Sequence, residues 1–403
     1  VKSAAIVVGV LLVAACSTNK TEGGGAAGGS CDTSKGTLTV GVIAPQSGGL
    51  SALGLGIKNS AQLAVDEANE KCTVKGYKLA VDTQDDEANP AKGAQAATKL
   101  ASDTSVVGVI GTLNSSVAQT VQPILFEKKI VQVSPANTNP SLTRGENFAT
   151  APARAFANYF RVCTTDDLQG PFAADYLVND AGKKKIAIIT DGKTYGEGLA
   201  TEFAARVAAK GGEIVAQQKV GEKDTDFAGV ISSIKASNPE ALYYGGEYPQ
   251  AGPLSKQLKD AGVNIPLMGG DGIFDGKFIE LGGTDGDLAT SVGAPTESLP
   301  SAKAFVDAYN AKKYSDAYGA YGAFSYDAAN AIISSLATTL GDGGEWSEDK
   351  RDALIEAVGK YSASGATGDV AFDEFGDSTN KVLTVYQVTA GAWKDAKTGE
   401  FES

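Results

Sequence analysis

The 403-residue chain contains no histidine, a single methionine and two tryptophans. Without histidine, the commonest proton shuttle at neutral pH and the commonest nitrogen ligand for metals are both missing, which excludes a Ser-His-Asp triad. Cysteine is scarce as well. Cys16, Cys31, Cys72 and Cys163 are spaced far too widely for a thiolate zinc cluster, so no metal site is expected. Basic residues are outnumbered, 35 Lys and Arg against 48 Asp and Glu, for a formal charge of -13 that opposes binding to a nucleic-acid backbone. No apolar run reaches the roughly 20 residues that a membrane-spanning helix needs. What is present, 42% hydrophobic and 21% charged residues with 49 Gly and 13 Pro, describes a globular chain long enough for two or three domains.

Lys2 precedes a run of small and apolar residues from Ala4 to Ala15. The run is too short to span a bilayer and right for a signal-peptide core, so residues 1–15 are expected to be a signal peptide. It ends Leu12-Val13-Ala14-Ala15-Cys16, which resembles the lipobox of bacterial lipoproteins. That resemblance implies cleavage before Cys16, lipidation of its thiol and anchoring to the outer face of the bacterial cell membrane. Residues 16–36 then form the lipidated Cys and a flexible tether. The stretch STNKTEGGGAAGGS carries five glycines and no bulky apolar side chain, and spans roughly 20 Å as a random coil. An extracytoplasmic location permits disulfides, and Cys31 and Cys72 flank the first expected strand and helix, so these two are expected to pair. Cys163 lies in an apolar run from Tyr159 and reads as a buried small hydrophobe, with no histidine to activate it as a nucleophile.

Along the body, β-branched runs alternate with stretches of helical period. Strands are expected at 37–44, 77–83, 106–110 and 130–134, with helices near 55–70, 90–101 and 117–127 between them. The pattern restarts with strands at 185–190, 214–220, 241–244 and 266–268, separated by helices near 197–210, 227–235 and 250–261. Such alternation predicts two α/β lobes, each a parallel sheet with helices on both faces. The last third holds helices near 302–312, 326–340 and 350–360 and strands near 370 and 381–388, and periodicity alone does not assign it to a lobe.

Ligands of parallel α/β sheets meet the loops beyond the carboxyl ends of the strands. In the first half those loops carry Ser115 and Thr138, hydroxyls that could receive a carboxylate beside a helix N-terminus or serve only as helix caps. In the second half, Asp271 lies in Gly269-Gly270-Asp271-Gly272, where it could hold an ammonium or simply make a turn. Gly192 to Gly198 lacks the residue order of a phosphate loop, and Asp85-Asp86 reads as a solvated strand end.

Seven segments carry a resemblance: GVIAPQSGG at 41–49, AVDEAN at 64–69, VSPANTNPSLT at 133–143, DLQGPFAADYL at 167–177, TDGKTYGEGLA at 190–200, VGEKDTDF at 220–227 and YYGGEYPQAG at 243–252. Over 37–395 the chain resembles the leucine/isoleucine/valine-binding proteins of branched-chain amino-acid ABC importers. The resemblance implies the type I periplasmic binding protein fold, two Rossmann-like lobes joined by three crossovers. It assigns 37–158 with 293–378 to the N-terminal lobe, and 159–292 with 379–403 to the C-terminal lobe. It implies that Ser115, Ala136 and Thr138 bind the ligand α-carboxylate, Ala136 through its backbone, that Asp271 takes the α-ammonium in place of the family's Glu, and that Tyr195 lines the cleft. Two positions depart from the family: Leu53 stands where an aromatic residue often covers the ligand, and Glu247 where Tyr is common, with Tyr248 beside it. The function implied is capture of a small aliphatic amino acid by a monomeric receptor that delivers it to a membrane permease, without cofactor or covalent chemistry. A receptor for an amide, urea-like compound or aromatic acid, or a solute sensor uncoupled from transport, is the alternative.

Overall fold

A computed structural model describes residues 31–402. The expected signal peptide, Cys16 and the tether up to residue 30 lie outside the described residues. Five strands build the first sheet: β1 (Thr37–Ala44), β2 (Lys78–Asp85), β3 (Val106–Gly111), β4 (Val131–Ser134) and β5 (Tyr159–Arg161), in the order β2-β1-β3-β4-β5 and all parallel. Between them run helices α1 (Ser51–Glu70), α2 (Pro90–Ala101), α3 (Ser115–Glu127) and the short α4 (Ser141–Arg144). Burial on both faces explains the nearly continuous apolar strands, such as the fully buried VVGVIG of β3. The start of α1 runs hard against the end of β1: a Cβ on Gly54 would sit 1.8 Å from the Pro45 carbonyl oxygen, so only glycine fits. Cys31 and Cys72 are joined, with 5.4 Å between their Cα atoms, and tie the entry to β1 to the end of α1.

The chain then leaves for a second layer, in which α5 (Asp166–Asp175) packs on α6 (Thr194–Ala209). Strands β6 (Lys185–Thr190), β7 (Glu213–Lys219), β8 (Ala241–Gly245), β9 (Leu267–Gly269) and β10 (Leu288–Ser291) alternate with α7 (Ala228–Ala236), α8 (Tyr248–Asp260) and α9 (Gly276–Glu280). The chain crosses back after β10. Helices α10 (Lys303–Lys312), α11 (Gly322–Leu340) and α12 (Arg351–Gly359) pack on the first lobe, α11 against α1, β3 and β4. After the small antiparallel pair β11 (Ser362–Gly365) and β12 (Gly368–Ala371), a third crossing leads to β13 (Val382–Thr389) and β14 (Ala392–Glu400). The second sheet has the order β14-β13-β10-β9-β8-β6-β7.

Three details differ from expectation. The second sheet is parallel only from β7 to β10, because β13 and β14 form a hairpin on its edge, both pairings antiparallel. A two-residue turn at Ala390 and Gly391, both with positive φ, forces that reversal. Tyr159–Arg161 pairs with β4, so the first lobe runs past 158 through Arg161, and the expected boundary moves by one short edge strand. Asp85 and Asp86 are not a solvated strand end either. Asp85 accepts from the Gln46 N–H and the Ser47 hydroxyl, and Asp86 is fully buried and accepts from the Ala88 N–H, so the pair organises the turn after β2. Among the described residues no helix is long and apolar enough to cross a membrane.

Candidate ligand-binding site

The carboxyl ends of both sheets face each other, and the loops beyond them meet. The Tyr248 hydroxyl donates to the Gly49 carbonyl, Asn114 Nδ2 to Glu247 Oε1 at 2.7 Å, Asn139 Nδ2 to the Thr194 carbonyl at 3.0 Å and the Thr194 hydroxyl to Gln119 Oε1 at 3.0 Å. Each bond runs between the lobes. The arrangement brings Ser115, Ala136, Thr138, Tyr195, Glu247 and Asp271 to buried positions around this junction. Leu53 is also buried, on α1 where it packs toward Gly319, and covers no polar group.

One wall is a carboxylate cage. Asp271, 1% exposed, accepts from the Tyr195 hydroxyl at 2.7 Å, the Tyr321 hydroxyl at 2.8 Å and Gln169 Nε2 at 3.0 Å. Gln169 is held in turn: its Oε1 accepts from the Asp271 N–H and the Thr290 hydroxyl. Beside it stands Asp166, fully buried, one of whose carboxylate oxygens accepts from Gln169 Nε2 at 3.3 Å while Oδ2 has no partner. Burial pushes both carboxyls up from the usual range, and for Asp166 the nearby Asp271 charge pushes in the same direction. Two buried carboxylates facing each other with no basic partner between them create a place for a cation.

The adjoining loops offer donors. Thr138 is fixed through its main chain: its carbonyl accepts from the Asp166 N–H, and the carbonyls of Asn137 and Asn139 on either side accept from Arg161 Nη1 at 2.7 and 2.9 Å. Its hydroxyl is buried beside the Asp166 carboxyl. Ser115 opens α3, whose preceding residue Asn114 spends its amide on Glu247 and leaves the helix N-terminus without a side-chain cap. The free N–H groups of that first turn, with the helix dipole behind them, suit an anion. Neither Ser115 nor Thr138 is acting as the helix cap that its position allowed. The Ala136 N–H donates to Ser134 Oγ at 3.1 Å.

Glu247 turns inward. Besides Asn114 it meets Lys193 at 3.5 Å and lies against Asp191, whose carboxyl is pushed up to about 8 by burial and by the Glu247 charge. Close approach builds this corner: a Cβ on Gly196 would sit 2.3 Å from the Gly245 carbonyl oxygen, so the loops after β6 and β8 touch through backbone. Among the described residues no group of three or more Cys, Asp or Glu side chains is arranged to hold a metal ion.

Sequence reading missed Asp166, Gln169 and Tyr321. The first two follow β5, a strand too short to show a period, although they sit at the edge of the segment DLQGPFAADYL. Tyr321 comes from the first lobe's returning chain just before α11 and had no local signal.

With this geometry in place, comparisons with known proteins can be added. The family described as periplasmic binding protein matches residues 37–393. A Leu/Ile/Val-binding protein of Rhizobium johnstonii is 34% identical over 357 residues, 88% of this chain and 92% of that one. Among solved structures, the leucine-binding protein LivK of Thermotoga maritima is 28% identical with a TM-score of 0.78, covering 90% of this chain and 98% of its own. The branched-chain amino-acid transporter substrate-binding protein LivJ of Streptococcus pneumoniae, in complex with isoleucine, is 25% identical with a TM-score of 0.79, covering 90% and 99%.

Proposed function

The chain belongs to the periplasmic binding protein family, and from that premise we propose that it is the extracytoplasmic receptor of an ABC importer, capturing an α-amino acid of the branched-chain class between its lobes. The observation that carries this reading is the opposite polarity of the two walls. Asp271 and Asp166 meet an α-ammonium, while Ser115, the Thr138 hydroxyl and the first turn of α3 meet the α-carboxylate. A zwitterion satisfies both at once, and neither an inorganic ion nor a neutral sugar does. Relatives named for leucine, isoleucine and valine support the amino-acid class. Burying an aliphatic side chain contributes about 1.5–3 kcal/mol, while the charged ends fix orientation.

In this reading Cys16 carries the lipid anchor, residues 17–30 the tether, and the closed receptor docks on its permease without chemistry on the ligand. The test is titration calorimetry with L-leucine, L-isoleucine and L-valine. Saturable binding is expected, and Asp271→Ala should raise Kd about 30-fold or more, because truncating one partner of a buried charge pair costs at least 2 kcal/mol or so. Unchanged affinity in the folded variant removes Asp271 from the site.

A further inference from the structure

A cavity of about 890 Å³ lies beside the segment in which the chain crosses back after β10, and none of Ser115, Ala136, Thr138, Tyr195, Glu247 or Asp271 lines it. Both lobes and the crossing wall it: Ala52 of α1 and residues 315–320 from the first lobe, residues 274–277 and 393–395 from the second, and residues 294–298 between them. Its size is that of a small-molecule site. Aromatic rings supply much of the lining. Phe274 stacks on Tyr386 with 4.0 Å between ring centroids and meets Trp393 edge-on at 5.8 Å, while the Trp393 indole N–H donates to the Asp275 carbonyl at 2.9 Å. Tyr318 adds a fourth ring, its hydroxyl tied to Glu297 Oε1 at 3.1 Å.

The charge around these rings is one-sided. Lys277 is committed to Glu280 at 2.6 Å, which leaves Lys394 against Asp275, Glu297, Asp316 and Asp395, none of them in an ion pair among the described residues. Asp275 spends Oδ1 on the Lys277 N–H at 2.7 Å, and its Oδ2 faces Gly319 of the first lobe, 3.9 Å from where a Cβ would stand. Burial pushes the Asp275 carboxyl up, a cost that a cation in the cavity would relieve. Ring faces and carboxylates both attract positive charge, whereas an anion would be repelled and a neutral apolar body would desolvate the acids without pairing them.

We propose that this cavity is a second ligand site, separate from the amino-acid cleft, and that it takes a small organic cation, an ammonium group carried on a short apolar body. Choline is the probe, and dimethylbutanol, its uncharged isostere with carbon in place of nitrogen, is the control. Trp346, the other of the two tryptophans, lies outside the cavity with its indole N–H on the Thr104 carbonyl, so Trp346→Phe leaves Trp393 as the sole reporter. In that variant of the full chain, choline is expected to change the Trp393 emission saturably and to bind about tenfold or more tightly than the alcohol. Asp275→Asn, which keeps the cap of α9, should weaken choline about threefold. Equal affinity for the two probes, no saturable change with choline, or unchanged affinity in folded Asp275→Asn overturns the proposal. So does displacement of choline by saturating L-leucine, which would put the cation in the amino-acid cleft. If Trp346→Phe does not fold, calorimetry on the native chain reads the same choline-to-alcohol ratio. Leucine binding is measured separately, so the receptor reading stands whether or not choline binds.

Discussion

Asp271 receives three hydrogen bonds and still has its carboxyl pushed up, because burial and not a charged partner dominates its surroundings. Asp166, with one oxygen unpaired, is pushed the same way. Carboxyls raised in the free protein hold protons that a ligand ammonium would displace, so the complex carries fewer protons than its components. Affinity then rises with pH through the window between the complexed and the raised free values, and is lost as pH is lowered through it. Calorimetry in two buffers of different ionisation enthalpy reads the released protons directly; affinity without pH dependence and without proton release would take the ammonium away from this pair. Ser115, Thr138 and Asp271 were legible in the sequence because each follows a recognisable strand. Asp166 and Tyr321 were not: one follows a strand with less than two periods of alternation, and the other reaches Asp271 from 50 residues away in the chain.

The element that organises the donor wall is β5. Its Arg161 is fully buried, gives Nε to Asp377 at 2.6 Å and Nη1 to the Asn137 and Asn139 carbonyls, and so joins the Thr138 loop to the chain segment of the third crossing. Arg161→Met removes one half of a buried ion pair and strands two carbonyls, which should destabilise the protein by about 3–5 kcal/mol. Urea unfolding measures that loss; a midpoint within error of the native protein would mean that the loop is held by something else. Helices with strong local signals coincide with the expected ones. In α2, Asn89 accepts from the N–H groups of Ala91 and Lys92, and Pro90 fills the first position, where its missing N–H is no loss. The three-residue strand β5 shows what pattern reading lacks: a short strand is defined by its neighbour's hydrogen bonds, not by its own residues.

At the scale of the molecule, the cleft exists because two sheets end toward one another and their loops bond directly. Asn139 Nδ2, which donates to the Thr194 carbonyl, contributes to that closed arrangement from outside the carboxylate cage. Asn139→Ala removes one inter-lobe bond worth about 0.5–1.5 kcal/mol, so ligand should dissociate roughly two- to tenfold faster with little change in association rate. Stopped-flow displacement checks this, and an unchanged off-rate would show that the contact does not hold the lobes together. By itself the sequence determined the alternating α/β plan, the acidic and histidine-free chemistry and the family, because each is written in local period, composition or contiguous segments. Only the tertiary structure decided that β5 belongs to the first lobe, that Glu247 turns inward to Asn114, and that Asp166 joins Asp271. Those contacts link positions 27 to 133 residues apart, and whether such side chains meet depends on how the lobes pack and not on any pattern along the chain.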